Sequence, residues 1–170
     1  MNINIDKCIQ QVTFIPTVVA YLIDSEGHVT LGLRKTELGN GFLSGIGGKI
    51  GDSEDTVNET ADEALVRELQ EELGIVPIKF QPYGLVRFLY PHKPTKNMQT
   101  IPYLITSWEG EPRESDSIIP MRFNLKKVPF DRMWKDNKIW LPRVLEKETI
   151  FCDILYNSDN QVQKYSFRNA

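Results

Sequence analysis

The sequence predicts an α/β (α+β) fold in which a mixed β-sheet lies between α-helices. Runs rich in β-branched residues recur along the chain and predict strands. One strongly amphipathic helix interrupts these strands and ends at Gly74. The chain has 170 residues, which is enough for one domain with a substantial core. We therefore expect a single sandwich domain over residues 1–170.

The first part of the chain is predicted to form a hairpin and a glycine-rich segment. Residues 12–23 are rich in β-branched side chains and indicate a strand, with Pro16 at a break or an edge. A turn separates this strand from a second one at residues 28–34. A loop and a short strand then lead into residues 45–48, where glycines let the backbone approach a ligand or metal closely.

The central helix carries an unusual set of acidic residues. Glu68, Glu71 and Glu72 lie on one arc of the helix, at spacings of three and four residues. Like charges at these spacings repel, so a helix selected only for stability would alternate acidic and basic residues. Carboxylate oxygens are ligands for hard divalent cations, and this arc therefore predicts a metal site. The alternative is a solvated acidic helix.

The second half of the chain is predicted to supply more strands and one short helix. A basic, proline-bearing loop occupies residues 91–97. A helix is predicted from about residue 139 to residue 147, although Pro142 confines it to the first turn or kinks it. The predicted strands are residues 75–78, 83–90 and 99–105, and a C-terminal hairpin of residues 151–156 and 161–167.

Composition and charge exclude several classes of protein. The net charge of -3 and the pI of about 5.5 argue against a nucleic-acid-binding protein, which is normally basic. No apolar run approaches the length of a membrane span, and the first residues do not resemble a signal peptide. Cys8 and Cys152 form no metal-binding or disulfide spacing and are expected to be small buried hydrophobic residues. We therefore expect a soluble cytoplasmic protein, which is a monomer or a dimer.

Two segments around the central helix resemble a known family. A Gly-Gly-Lys at residues 47–49 is followed by Arg-Glu-Leu-Gln-Glu-Glu-Leu-Gly-Ile at residues 67–75. This pattern is similar to the Nudix box of the Nudix hydrolases and implies their fold. The intervening segment is five residues longer than the family pattern, so either Glu54 or Glu59 takes the position of the family's intervening glutamate. Glu59 is favoured because it stays in phase with the helix.

The resemblance implies a role for each residue of the acidic arc. Glu68, Glu71 and Glu72 are expected to hold Mg²⁺, or Mn²⁺, against the phosphates of the substrate, together with the carbonyl group of Gly47. Arg67 is expected to belong to the catalytic centre and to orient one glutamate through an ion pair. Either Glu71 or Glu72 is the catalytic base, and the sequence leaves this choice open.

A second resemblance extends over most of the chain from about residue 18. Residues 32–49 and 114–142 are similar to the purine nucleoside triphosphatases that destroy 8-oxo-dGTP and other oxidised purine nucleotides. The implied reaction is Mg²⁺-dependent cleavage between the α- and β-phosphates, which gives a nucleoside monophosphate and pyrophosphate. The implied partner is a nucleotide, with no nucleic-acid or membrane partner.

The same resemblance implies a pocket for the base. A tryptophan matching Trp134 stacks on the base, and an acid matching Asp136 forms hydrogen bonds to its edge. The other residues expected to contact the substrate are Arg34, at the position of a phosphate-contacting lysine, and Leu38, Ser44, Met98, Asn137 and Trp140. Ser44 and Asn137 replace an asparagine and an acid of the family, so the preference for 8-oxoguanine over other purines stays open.

Several alternatives remain at this point. Arg34 is equally well explained as a solvated strand residue, and Trp140 as a residue of the core. A Nudix hydrolase of another nucleoside diphosphate-linked substrate would share the helix but lack the pattern around Trp134 and Asp136. A non-catalytic nucleotide-binding module would have lost the carboxylates of the helix, and all of them are present.

Overall fold

The computed structural model of the protein describes residues 12–35 and 41–168. The strands are β1 Ile15–Ile23, β2 His28–Arg34, β3 Leu43–Ser44, β4 Val76–Pro82, β5 Gly84–Leu89, β6 Met98–Glu109, β7 Ile118–Asn124, β8 Ile150–Tyr156 and β9 Val162–Arg168, and the helices are α1 Ala61–Leu73 and α2 Asn137–Leu145. The strands form one sheet in the order β3-β2-β1-β6-β5-β8-β9, with β4 paired to β6 and β7 paired to β2. The β1–β6 and β5–β8 pairs are parallel and the others are antiparallel, so the sheet is mixed.

The two helices cover opposite faces of this sheet. Successive side chains of a strand point to opposite faces, and β1 shows this clearly. Its residues Val18, Ala20 and Leu22 pack in the cluster that contains the buried leucines of α1. Tyr21 packs in the other cluster, with Trp140 of α2. The predicted sheet between helices is therefore confirmed.

One strand, β7, was not predicted from the sequence. Pro120 lies in its middle and lacks an amide hydrogen, which makes the segment a poor candidate for a strand. In the described residues β7 pairs with β2 alone, over a register that runs from His28↔Asn124 to Arg34↔Ile118. A proline is tolerated there because β7 is an edge strand.

The second helix is present, but its bounds differ from the prediction and Pro142 does not confine it to its first turn. α2 begins at Asn137, two residues earlier than predicted, and Pro142 lies past its first turn. The helix continues because later amides still find acceptors, such as that of Glu146, which donates to the Pro142 carbonyl (3.0 Å). Neither α1 nor α2, the helices of the described ranges, is long and apolar enough to cross a membrane.

The cysteine prediction can be checked at one of the two positions. Cys152, in β8, is fully buried among hydrophobic side chains, as expected. Burial raises the pKa of its thiol to about 12, so the group stays protonated and unreactive at neutral pH. Cys8 lies outside the described residues.

Candidate active site

Residues 46–50 lie against the first half of β1. β2 pairs with β1 only near Leu22 and Ile23 and then follows β7, which leaves the first half of β1 free for this segment. The amide of Val18 donates to the carbonyl of Gly48 (2.9 Å). A Cβ atom at residue 48 would collide with the carboxylate of Glu68, so glycine lets the backbone lie directly against this side chain of α1.

α1 is fixed at both ends and along its buried side. Its first turn has a capping box, in which the Thr60 hydroxyl accepts from the Glu63 amide (3.3 Å) and the Glu63 carboxylate accepts from the Thr60 amide (2.8 Å). Gly74 ends the helix in the left-handed conformation, with a φ of 70°. Three fully buried leucines face the sheet, at Leu65, Leu69 and Leu73. These contacts hold the acidic side of α1 against residues 46–50.

The acidic side of α1, here called the carboxylate face, consists of Glu68, Glu71 and Glu72. Glu68 is 9% exposed, Glu72 is partly buried, and the Glu71 side chain is 61% exposed. Glu72 accepts hydrogen bonds from the Gly47 amide (3.3 Å) and from the Ser117 hydroxyl (3.5 Å). Burial raises the pKa of both Glu68 and Glu72 above the usual range of a glutamate.

Arg67 connects the carboxylate face to the segment that precedes α1. Its Nη1 donates to Glu68 (2.8 Å) and to Glu71 (3.4 Å). Its Nε and Nη2 form a two-point contact with Glu59, at 2.7 and 3.0 Å. Nη2 also donates to the carbonyl of Lys49 (2.9 Å). Arg67 thus contacts two glutamates of the face, where one was predicted.

The structure distinguishes Glu59 from Glu54. Glu59 lies against Arg67, and this contact holds the pKa of Glu59 below its usual range. Glu54 is exposed at the start of a short 3-10 turn. Glu59 is the residue that the sequence favoured, but the reason was wrong. α1 begins only at Ala61, so helical phase does not position Glu59.

The chemistry of the carboxylate face fits a hard divalent cation. Its donors are carboxylate oxygens, and the buried charge on Glu68 and Glu72 is one that a bound cation would compensate. As the side chains stand, no three acidic, histidine or cysteine groups within residues 12–35 and 41–168 converge closely enough to share one ion. Glu71 is the most exposed of the three glutamates and has the most freedom to turn towards the other two.

Arg34 lies at the end of β2, close to the carboxylate face. Its Nε donates to the hydroxyl of Ser44 (3.2 Å). Its charge favours the ionised form of Glu72, although burial has the larger effect on the pKa of that residue. Arg34 is partly buried, so it is not a fully solvated strand residue. Ser44, which was predicted to lie in the pocket for the base, thus contacts Arg34.

Trp134 is not a core residue, because it is 48% exposed. Its ring stacks on Phe42, with the ring centroids 5.0 Å apart and the planes 11° from parallel. A bridge between Leu43 and Met133 holds the two segments side by side. The pair presents an exposed aromatic surface, and the contribution of Phe42 was not predicted from the sequence.

Asp136 is buried, at 4% exposure, and neutral donors surround it. Its Oδ2 accepts from Trp140 Nε1 (2.9 Å), and its Oδ1 accepts from the Tyr156 hydroxyl (2.8 Å). Asn137 Nδ2 donates to the Trp134 carbonyl (3.2 Å) and is 3.4 Å from Asp136 Oδ2. Burial raises the pKa of Asp136, and the two neutral donors act in the opposite direction. We call Asp136, Trp140, Tyr156 and Trp134 the aromatic cluster.

The remaining residues that were predicted to line the pocket differ in how deeply they are buried. Trp140 is a core residue, 3% exposed, with its ring edge-on to Tyr21 at 6.2 Å. Met98, at the start of β6, is partly buried and packs against the same core. Leu38 lies outside the described residues. No local pattern in the sequence indicated Tyr156, which reaches Asp136 only because β8 places it there.

Comparisons with known proteins show the family of the chain. A model of the NUDIX domain matches residues 13–144. The oxidized purine nucleoside triphosphate hydrolase of Danio rerio is 35% identical over 127 residues, which are 75% of this chain and 78% of that protein. The protein of the same name from Mus musculus is 29% identical over 143 residues, or 84% of this chain and 88% of that one. The 8-oxo-dGTP diphosphatase of Haemophilus influenzae is 41% identical over 66 residues, or 39% and 43% of the two chains.

Solved structures share the fold. The crystal structure of a MutT protein from Bacillus halodurans has a TM-score of 0.76 at 19% identity, and the match covers 91% of this chain and 97% of that one. A MutT Nudix hydrolase from Burkholderia pseudomallei has a TM-score of 0.62 at 23% identity, with 80% and 98% covered. The domain match spans well over half of the chain and includes the glycine segment, the carboxylate face and the aromatic cluster up to Trp140, so the chain belongs to the Nudix hydrolase family.

Proposed function

We propose that the protein is a Mg²⁺-dependent pyrophosphohydrolase of oxidised purine nucleoside triphosphates such as 8-oxo-dGTP, with a nucleoside monophosphate and pyrophosphate as products. The names of the Danio rerio and Mus musculus relatives, which the chain matches over most of their length, support this substrate class. The arrangement of the site supports it as well. The carboxylate face suits the phosphate end of a nucleotide, and an exposed aromatic surface suits the base.

The cation is part of the proposal. Nudix hydrolases generally need a divalent metal such as Mg²⁺. Here Glu68, Glu72 and the Gly47 carbonyl would hold it, and Glu71 would stay beside them as a carboxylate that is not committed to the cation. When bound, the cation neutralises phosphate charge and lowers the pKa of a water molecule in its shell. Mn²⁺ also accepts carboxylate and carbonyl ligands, so we expect it to substitute.

The chain's own residues position the phosphates and accept the proton of the attacking water. Arg34 lies beside the carboxylate face and is the charged donor we assign to a phosphate oxygen. Arg67 keeps Glu68 in place through their ion pair (2.8 Å). Glu71 is the least engaged carboxylate of the face, so we assign it the role of the base.

The aromatic cluster would bind the base. Stacking of a base on the exposed Trp134 ring is worth about 1–3 kcal/mol. Asp136 would form hydrogen bonds to the edge of the base, and Asn137 lies directly beside it. Trp140 is a positioning residue in this scheme, since its indole nitrogen donates to Asp136. Met98 would contribute apolar contact from β6.

One observation supports the proposal more strongly than the others do. It is the contact of Arg67 with Glu59, Glu68 and Glu71 next to residues 46–50, because this network gathers three carboxylates in one place although burial disfavours the charge on Glu68.

The experiment is an assay of purified protein with Mg²⁺ against a panel of nucleotides, with identification of the products. The panel contains 8-oxo-dGTP, dGTP, 8-oxo-dATP, a nucleoside diphosphate sugar, a dinucleoside polyphosphate and NADH. We expect the highest kcat/KM with an oxidised purine triphosphate, release of pyrophosphate, and loss of turnover with a chelator. Turnover of diphosphate-linked substrates alone would reassign the enzyme within the family. Nucleotide binding without any turnover would indicate a non-catalytic module.

The proposal extends to location. The substrate is a free nucleotide, and the chain is mildly acidic, so neither a nucleic-acid surface nor a membrane surface is required for its action. We place the protein in the cytoplasm on this basis. Cell fractionation with detection of the native protein tests the assignment, and recovery with membranes would contradict it.

A further inference from the structure

The hydrogen bonds to Asp136 fix which atoms of this carboxylate accept. Trp140 Nε1 carries a hydrogen and no lone pair, so Oδ2 of Asp136 accepts this bond (2.9 Å). The Tyr156 hydroxyl lies 2.8 Å from Oδ1. A carboxylate that accepts from both sides is held in one orientation, and the two donors favour its ionised form against the effect of burial.

Tyr156 itself is held in place from two directions. Its ring stacks on that of Tyr90, with the centroids 4.5 Å apart and the planes 10° from parallel. Its strand, β8, changes register against β9 between Leu155 and Tyr156. An irregularity of this kind re-aims a side chain relative to a regular strand. Tyr156 is 7% exposed, so its hydroxyl has little freedom to seek water instead of Asp136.

We propose that Tyr156 is a positioning residue that sets the base preference of the site, because it holds Asp136 as a hydrogen-bond acceptor towards the base. This inference rests on the proposed function. An acceptor matches the edge of a 6-oxo-2-aminopurine, where N1 and the 2-amino group both donate. The edge of a 6-aminopurine places an acceptor at N1, which an ionised carboxylate repels.

Asp136 is the carboxylate of this region, and burial raises its pKa above the usual range of an aspartate. The titratable groups that face it are the hydroxyls of Tyr21 on β1, Tyr90 after β5 and Tyr156 on β8, and the thiol of Cys152 on β8. Burial raises the pKa of all four, to about 12 for Tyr90 and Cys152. None of them changes charge between pH 5 and pH 9. Burial also raises the pKa of Glu68 and Glu72, but Tyr156→Phe leaves these residues unchanged, so a shift of the pH profile between wild type and this variant reports on Asp136.

The test compares wild type, Tyr156→Phe and Tyr165→Phe with 8-oxo-dGTP and 8-oxo-dATP, which differ only at the edge in question. Tyr156→Phe keeps the ring that stacks on Tyr90 and removes the hydroxyl. Tyr165, half exposed on β9, is the matched control, because it carries the same substitution away from Asp136. For each protein, kcat and KM are measured from pH 5 to pH 9.

For Tyr156→Phe we expect KM for 8-oxo-dGTP to rise about tenfold, as for the weakening of a hydrogen bond to a charged group, with kcat within about twofold. KM for 8-oxo-dATP should not rise, so the preference for 8-oxo-dGTP over 8-oxo-dATP should also fall about tenfold. Loss of the donor raises the pKa of Asp136, so the acidic limb of the kcat/KM profile moves to higher pH. Tyr165→Phe should match wild type.

An unchanged preference and an unchanged pH profile, in a Tyr156→Phe protein that is active, would overturn the inference and leave Tyr156 a structural role. If Tyr156→Phe does not fold, Tyr90→Leu decides, since it removes the ring that stacks on Tyr156 and helps to hold its hydroxyl beside Asp136. A reduced preference for 8-oxo-dGTP in Tyr90→Leu supports the inference, and an unchanged preference overturns it. Wild-type protein that turns over neither nucleotide overturns the proposed function, which is a distinct result.

Discussion

The carboxylate face and the aromatic cluster both bury acidic groups, but their partners differ in charge. On α1, a single arginine contacts three carboxylates, those of Glu59, Glu68 and Glu71. Around Asp136, the donors are the uncharged groups of Trp140 and Tyr156. The first arrangement leaves a surplus of negative charge beside solvent, and the second leaves one carboxylate in a fixed orientation among aromatic rings.

This difference matches the two ends of the proposed substrate. A surplus of carboxylates attracts a cation, and the cation in turn attracts phosphates. The base carries no charge, so it is best selected by hydrogen bonds of fixed direction and by stacking. The two regions should therefore respond to different substitutions, with effects on kcat and metal affinity in one and on KM in the other.

The largest effect should come from Glu72→Gln in the carboxylate face. Loss of one ligand charge removes several kcal/mol of stabilisation from the reaction, so kcat should fall about 10²–10³-fold. The fold should survive, because Glu72 is a carboxylate that burial disfavours in its charged form. Steady-state kinetics and thermal unfolding check both statements. A near-normal kcat would remove Glu72 from the mechanism.

A smaller effect, on metal affinity, should separate Glu59 from Glu54. Glu59→Gln weakens the contact that fixes Arg67, and the loss of such an outer partner typically costs about 10–100-fold in metal affinity. Glu54→Gln is the matched control, since Glu54 is exposed in the same segment. The Mg²⁺ concentration at half-maximal rate is the measurement. Equal responses of the two variants would contradict the role of Glu59.

In the aromatic cluster, Trp134→Ala should raise KM about tenfold and leave kcat nearly unchanged, because it removes stacking from the bound base. Trp134→Phe should retain most of the affinity, since a smaller aromatic face remains. The kcat and KM values for 8-oxo-dGTP are the measurement. A loss confined to kcat would place Trp134 outside the base site. It would also contradict the assignment of base binding to the aromatic cluster and of catalysis to the carboxylate face.

The smallest expected effect is on the pH dependence of stability. Burial raises the pKa of Glu72 above its unfolded value of 4.5, so its contribution to stability is complete below that pH and is lost as pH rises through the folded pKa. The melting temperature without metal should therefore rise slightly as the pH falls from about 7.5 towards about 4.5. Glu59, with a lowered pKa, opposes this trend only at more acidic pH.

The control for this trend is Glu72→Gln, which should reduce the pH dependence over the same interval and leave the part that is due to Glu68 and Asp136. Addition of Mg²⁺ at pH 7.5 should raise the melting temperature of wild type and should have less effect on the variant. A wild-type melting temperature that falls steadily with acidification in this interval would show that Glu72 ionises normally in the folded protein.

Much of the fold could be predicted because most strands carry their own signal. The hairpin at the C-terminus and the strands β2 and β5 agree closely with the predictions. β7 was missed because Pro120 is unfavourable in a strand unless the strand lies at an edge, which is a property of the whole sheet. The start of α2 was misplaced for a similar reason, since burial of Asn137 and Trp140 extends a helix that propensity alone would not.

The sequence by itself determined the carboxylate face. Its residues lie within two turns of one helix, so their common side follows from helical geometry, and a glycine stop bounds the helix. Only the tertiary structure decided that Glu59 contacts Arg67, that Phe42 stacks on Trp134, and that Tyr156 holds Asp136. These contacts involve residues of an irregular loop and of strands that are distant in sequence. Local periodicity does not predict which residues a sheet brings together.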